Sequence, residues 1–212
     1  MSIITVSRMY GSGGAEVAER VAHALGWPLY DNAFVDAVAQ RLDISPEEVE
    51  VREERVPPLV ERLAGALSLA TPEILPSPAG EPHPPREAQI AEVTTRVIQE
   101  LVATGDDAVL VGRGAQSVLA ARTDVIHVLC YAPHAALVAL TAERQHISLK
   151  AAERLVKEIN AQREQYVKQY LKRSWLALEN YHLCLNTDAL GLDGATEIIV
   201  RLAGKRFGRG GE

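Results

Sequence analysis

An apolar run, a glycine-rich turn and an amphipathic stretch follow one another without a gap at the start of this chain. Ile3-Ile4-Thr5-Val6 leads into Ser7-Arg8-Met9-Tyr10-Gly11-Ser12-Gly13-Gly14. Val17, Ala18, Val21, Ala22 and Leu25 then recur at helical spacing up to Gly26, where a C-cap glycine belongs. A strand feeding a helix through glycines is how a phosphate cradle is built. The glycines let successive backbone N–H groups converge on phosphate oxygens, and the helix N-terminus adds the positive end of its dipole. The phosphate-binding form of this turn usually ends in Gly-Lys-Ser/Thr. Here the last two places carry Gly14 and Ala15, so the lysine and the magnesium-binding hydroxyl are absent. A plain tight turn would use the same glycines, and the turn alone leaves both readings open.

Four further apolar segments read as strands: Pro28–Tyr30, Ala108–Val111, Val125–Tyr131 and His182–Asn186, with helical patterns between them. Such alternation implies βαβ units and a parallel sheet, whose ligands sit at the carboxyl ends of the strands. That edge collects Ser7 to Gly14, Asp31-Asn32, Gly112-Arg113-Gly114, Ala132-Pro133 and Asn186-Thr187-Asp188. Ser45-Pro46-Glu47-Glu48 reads as a helix start, and Ser148 as the cap of a long helix running to about Arg173. Asp193 precedes a last helix, and residues 208–212 read as frayed. Eight of the 11 prolines fall between Pro57 and Pro85, so Thr71 to Pro85 is expected to be a loop within an insert between the second and third strands.

The net charge of -6 argues against a general nucleic-acid binder but leaves room for local patches that grip phosphate. No apolar run approaches the roughly 20 residues of a membrane span, and the N-terminus lacks a signal-peptide profile. The expected setting is the cytoplasm. Cys130 and Cys184 have no metal-ligand spacing and read as reduced core cysteines.

Three arginines stand out. Arg8 lies inside the glycine turn, where it is either solvated or a substitute for the absent lysine, since arginine presents a planar, permanently charged fork to phosphate. Arg113 follows the strand Ala108–Val111 at the ligand edge. Arg163 falls in the middle of an apolar helical face made by Ala152, Leu155, Ile159, Tyr166 and Tyr170. A buried arginine must snorkel, pair with an acid or reach an anion, because its unpaired burial is costly. Lys150, Arg154, Lys157, Lys168 and Lys172 occupy the opposite, solvated face.

The run Ile4 to Gly14 resembles the opening of cytidylate-kinase-like proteins, a branch of the P-loop nucleoside monophosphate kinases. Leu29-Tyr30-Asp31, Val111-Gly112-Arg113-Gly114-Ala115 and Tyr131-Ala132-Pro133 carry the same resemblance. So do Ile147-Ser148, Arg163, Tyr166, Trp175 and Asn180 to Thr187. It covers nearly the whole chain. The resemblance implies an α/β fold: a five-stranded parallel sheet of P-loop NTPase type, flanked by helices, with a helical insert and a helical lid. One folded unit is expected, with a core of residues 1–31 and 86–212, a lid around 144–172, and an acceptor-binding, proline-rich insert at 32–85. This chain departs from the family pattern at Gly14, Ala15, Ala37, Gly114 and Asn160, each of which replaces a phosphate-binding, metal-binding or arginine-orienting residue.

The function so implied is transfer of the terminal phosphoryl of ATP to a nucleoside monophosphate, CMP-like, or a similar small acceptor. The alternative is a catalytically degenerate nucleotide-binding regulatory module. ATP is expected on Gly11, Ser12, Gly13, Gly14 and Ala15, with Asn186 and Thr187 bordering its base. Arg8 and Arg163 would serve its β- and γ-phosphates, and Asp31 and Arg113 the acceptor. Mg2+ would be held by nucleotide oxygens and water, with Glu16 the nearest protein candidate and no direct protein ligand. The nucleoside triphosphate and monophosphate are the expected partners, nucleic acid and membranes are not, and a homodimer is left open.

Overall fold

The computed structural model describes residues 1–46, 49 and 87–208. Five strands form one parallel sheet: β1 (Ile3–Arg8), β2 (Leu29–Tyr30), β3 (Ala108–Val111), β4 (Val125–Tyr131) and β5 (Leu183–Asn186), in the order β2-β3-β1-β4-β5. The chain therefore leaves central β1 toward one side and crosses to the other after β3. That reversal opens a crevice at the carboxyl edge beside β1, where open α/β sheets take their ligands.

Two faces of the sheet are covered, which is why its strands read as unbroken apolar runs. Ile4, Val6, Val109, Val111, Ile126 and Val128 pack against α1 (Gly14–Leu25) and the last helix through Val17, Val21, Ala195 and Ile199. On the other face Ile3, Leu110 and Val125 meet α2 (Asn32–Leu42), α3 (Glu87–Ala103) and the short α4 (Ala115–Val118), through Phe34, Val38, Ile90, Ile98 and Leu119. Gly26 closes α1 in the left-handed region, φ 67°, its N–H bonded back to Ala22 and His23.

Beyond β4, α5 (His134–Gln145) and α6 (Leu149–Tyr170) pack against one another as a helical pair. Ser148 caps α6 through its hydroxyl, 3.3 Å from the Ala151 N–H. The buried residues of α6 are Ala152, Val156, Tyr166 and Val167, with Leu155, Ile159, Asn160 and Arg163 half-buried. The last helix, α7 (Thr187–Phe207), starts earlier than Asp193, because Asn186 caps its first turn; it is interrupted at Gly191, φ 68° and ψ 168°.

Pro46 and Val49 are helical, and the Val49 N–H reaches the Ser45 carbonyl at 3.2 Å. Glu47, Glu48, the stretch Thr71 to Pro85, most of the insert and the tail after Gly208 lie outside the described residues. Cys130 and Cys184 are free thiols, and burial pushes Cys130 up to about 12. Among the described residues no helix is long and apolar enough to cross a membrane.

Candidate active site

The glycine turn is half closed on itself. The Ser12 N–H and hydroxyl both bond to the Met9 carbonyl, at 3.1 and 2.8 Å, making Met9 to Ser12 a tight turn with Gly11 at φ 85°. The Tyr10 N–H donates to Asn160 Oδ1 at 2.8 Å, which ties α6 to the turn. A Cβ on Gly11 would lie 2.6 Å from Thr141 Oγ1 and 2.7 Å from the Leu137 carbonyl, so α5 also rests on it. The start of α1 is a different matter. Gly13 is its N-cap, left-handed at φ 70°, and no side chain caps the first-turn amides. Those donors have no intrahelical partner and form an anion-receptive helix start.

Gly14 shows why no lysine stands there. A Cβ on Gly14 would sit 2.5 Å from Arg8 Cβ and 2.9 Å from Cys130 Cβ, atoms one bond from the backbone that cannot rotate away. Glycine-to-alanine in a helix normally gains about 0.5–1 kcal/mol. Overpacking of this kind costs about 1–3 kcal/mol. Gly14→Ala is therefore expected to destabilise the protein by about 1–2 kcal/mol in urea unfolding, and a gain in stability would contradict the packing described here.

Arg8 ends β1 with its Cβ against Gly14, and its guanidinium then crosses Gly112. A Cβ on Gly112 would lie 1.6 Å from Arg8 NH1. Beyond it, Arg8 NH2 stands 3.8 Å from Asp31 Oδ1, in a partly buried pair. Asp31 is the N-cap of α2 yet makes no side-chain cap bond, so its carboxylate is turned to Arg8 instead of to the helix. Arg8 thus reaches toward the β2–β3 side and does not lie along Gly11 to Gly14.

Arg113 sits between Gly112 and Gly114 in three successive left-handed residues, φ 67°, 52° and 68°. For a non-glycine residue that conformation costs about 1–2 kcal/mol. Arg163 reaches back from α6: its NH1 donates to the Arg8 carbonyl at 3.1 Å, and its guanidinium lies 5.8 Å from the centre of the Tyr10 ring. Arg8, Arg113 and Arg163 line one cavity together with Gln116, Tyr166 and Trp175. Three cations converge here with Asp31 at hand, walled by two aromatic rings.

Asn186 and Thr187 are engaged in holding the fold. Asn186 Oδ1 accepts from the Asp188 and Ala189 N–H groups, and the buried Thr187 hydroxyl lies 2.7 Å from the Ser12 carbonyl and 3.1 Å from that of Tyr131. Ala15 is exposed on the first turn of α1. Glu16 accepts from Arg144 NH2 at 2.7 Å, and that nitrogen would lie 3.6 Å from a Cβ on Gly13. Arg144 is a cation on the rim of the glycine turn that sequence reasoning misses, because Glu143-Arg144-Gln145-His146 reads as a solvated helix end. Asn160 escapes notice as a tether for the same reason: polar residues on an amphipathic helix carry no mark of their partner.

A family model described as the cytidylate kinase-like family matches residues 3–189. The chain belongs to that family. Its fold recurs in solved structures that are distant in sequence. An uncharacterized protein from Eubacterium ventriosum is 20% identical with a TM-score of 0.69, over 96% of this chain and 98% of that one. A shikimate kinase from Acinetobacter baumannii, in complex with shikimate, is 15% identical at 0.50, over 95% and 92%. A gluconokinase from Sinorhizobium meliloti is 15% identical at 0.50, over 99% and 98%. No curated protein matches the chain. The architecture of this member of the cytidylate kinase-like family is accordingly that of the P-loop kinases, a class of nucleotide-binding phosphotransferases.

Proposed function

We propose that the protein moves the terminal phosphoryl of ATP to a nucleoside monophosphate or a similarly small anionic acceptor. The observation that carries this reading is the convergence of Arg8, Arg113 and Arg163 on one cavity, with the Cβ of Arg8 against Gly14 at the uncapped start of α1. Phosphoryl transfer needs positioning and charge stabilisation more than covalent chemistry, so arginines from three elements can supply much of it. In this reading Arg113 and Asp31 hold the acceptor, with Trp175 and Tyr166 beside its apolar part, and the insert at 32–85 completes the acceptor side. Arg8 and Arg163 border the transferred group, Arg163 arriving on α6 as a lid.

The fit to a nucleoside triphosphate rests on the helix start. Gly13 offers no capping side chain, and Arg144 stands beside it, so Gly11 to Ala15 suit a phosphate group. Asn186 and Thr187 border the base as a rigid wall, since their side chains are already engaged. Among the described residues no three of His, Cys, Asp and Glu gather into a metal site, and Glu16 is bonded to Arg144. Magnesium arriving with ATP would be held through phosphate oxygens and water. Bound there, ATP and its metal would supply the transferable group and neutralise charge. The protein works on them in the cytoplasm, with nucleotides as its partners.

The rival reading, a nucleotide-binding regulatory module, draws on two observations. Gly14 leaves no room for a lysine, and the Tyr10 and Ser12 amides are already bonded within the protein. A coupled assay of ATP against the common nucleoside monophosphates separates the two. A diphosphate product from one of them is expected; ATP binding without transfer to any of them would favour the module.

A further inference from the structure

Gln116 stands three residues beyond Arg113, on the short α4, and is 3% exposed. A buried amide is costly unless its ends are bonded. Nε2 of Gln116 donates to the Asn180 carbonyl at 3.1 Å, and Oε1 accepts from the Ser117 hydroxyl at 3.0 Å. These partners fix which end is which, because a carbonyl is met only by the nitrogen. Asn180 closes the 3-10 turn Leu178–Asn180, and the last carbonyls of a helical turn have no partner within it. A leucine or methionine on α4 would fill similar space without a polar group to satisfy. The amide answers the Asn180 carbonyl.

Asn180 belongs to the connector between α6 and β5, residues 171–182, which carries Trp175. The connector is tied to itself and to the sheet. Asn180 Oδ1 accepts from Arg173, and Asn180 Nδ2 donates to the Ser174 carbonyl at 2.7 Å. The Tyr181 hydroxyl donates to the Trp175 carbonyl at 2.7 Å. Next along the chain, the His182 N–H donates to the His127 carbonyl on β4 and the His127 N–H to His182 Nδ1, both at 2.8 Å, with the rings stacked. His127 Nδ1 in turn lies 2.8 Å from Thr5 Oγ1 on β1. Trp175 is 5% exposed and packs with Tyr166 and Val167 of α6. Within this network the bond from Gln116 is the one that starts on the helix following Arg113.

We propose that Gln116 is a positioning residue for the acceptor: by holding the Asn180 carbonyl to α4, it sets the span between Arg113 and Trp175 across the arginine cavity that all three line. The inference rests on the reading given above, in which Arg113 holds the acceptor and Trp175 lies beside its apolar part. An acceptor meets both only if its phosphate and its apolar part are separated by that span. A shift of about 1 Å in such a wall is enough to change binding and rate substantially. Gln116 therefore acts on the choice of acceptor and not on the ATP side at Gly11 to Ala15.

The test reads Trp175 directly. The chain holds two tryptophans, so 5-fluorotryptophan labelling gives two 19F signals, which Trp27→Phe assigns. Gln116→Met keeps the reach of the side chain and deletes both polar ends. It is expected to shift the Trp175 signal and to leave that of Trp27 in place. In the parent, at least one of AMP, CMP, GMP and UMP should move the Trp175 signal saturably. Gln116→Met should bind that monophosphate about 10-fold more weakly, while its calorimetric affinity for ATP stays within about twofold of the parent's. A general loosening of the fold would weaken both ligands alike. Ser117→Ala, which removes one of the two bonds and little bulk, should shift the Trp175 signal in the same direction by less, and it carries the comparison if Gln116→Met does not fold. The proposal is overturned if the Trp175 signal stays at its parental position, if the monophosphate binds as tightly as to the parent, or if ATP binding falls equally. A parental Trp175 signal that responds to none of the four monophosphates would instead overturn the acceptor reading itself.

Discussion

Replacing Arg163 with methionine is expected to slow phosphoryl transfer about 10³-fold, in the range for loss of one positioned charge donor to a transferring phosphoryl. Methionine keeps the apolar stem that packs along α6 and deletes the charge. The fold gives up a hydrogen bond to the Arg8 carbonyl and a cation–π interaction with Tyr10. Together they are worth about 1–2 kcal/mol at a half-buried site. The rate should therefore collapse while the melting temperature falls only slightly, and nucleotide affinity should drop modestly, as for an interaction made mainly in the transition state. Measuring turnover and melting on this one variant checks the assignment. A large stability loss with unchanged turnover would make Arg163 a structural residue.

Arg8→Ala is expected to lower turnover about 10²-fold. Arg8→Lys should recover only part of it, because the planar fork that spans Gly112 toward Asp31 is replaced by a point charge. Gly112→Ala supplies an independent check. Its Cβ would occupy the place of Arg8 NH1, and its φ of 67° disfavours a side chain. It should push the guanidinium from Asp31 and reproduce much of the Arg8→Ala loss with Arg8 still present. Parental kinetics for both variants would remove Arg8 from the site.

The sheet was legible because parallel strands covered on both faces read as apolar runs: Ala108–Val111 and Val125–Tyr131 match residue for residue. β1 runs past Val6 to Arg8 because Ser7 and Arg8 pair with Leu129 and Cys130, a register that a polar sequence end does not announce. The three arginines stand out in the sequence as well, Arg8 by its place inside the glycine turn, Arg113 by following a strand and Arg163 by its anomaly on an apolar face. Where their side chains go was not legible. The course of Arg8 across Gly112 depends on the absence of a Cβ on another strand, and the Asn160 tether joins residues 150 apart. His127 was hidden inside an apolar run. Its polar role follows from Thr5 standing opposite on β1 and His182 stacking above, both of which are products of register.

The central claim is that the arginine cavity receives the phosphate of an anionic acceptor. Calorimetric titration of the wild-type protein with the monophosphate that the assay selects, and then with its dephosphorylated nucleoside, tests that claim most directly. With Arg113 gripping the phosphate and Arg8 and Arg163 bordering the group to be transferred, the monophosphate should bind at least about 10-fold more tightly than the nucleoside, as expected for a charge-assisted hydrogen bond worth about 1.5–3 kcal/mol. Equal affinities for the two would contradict it.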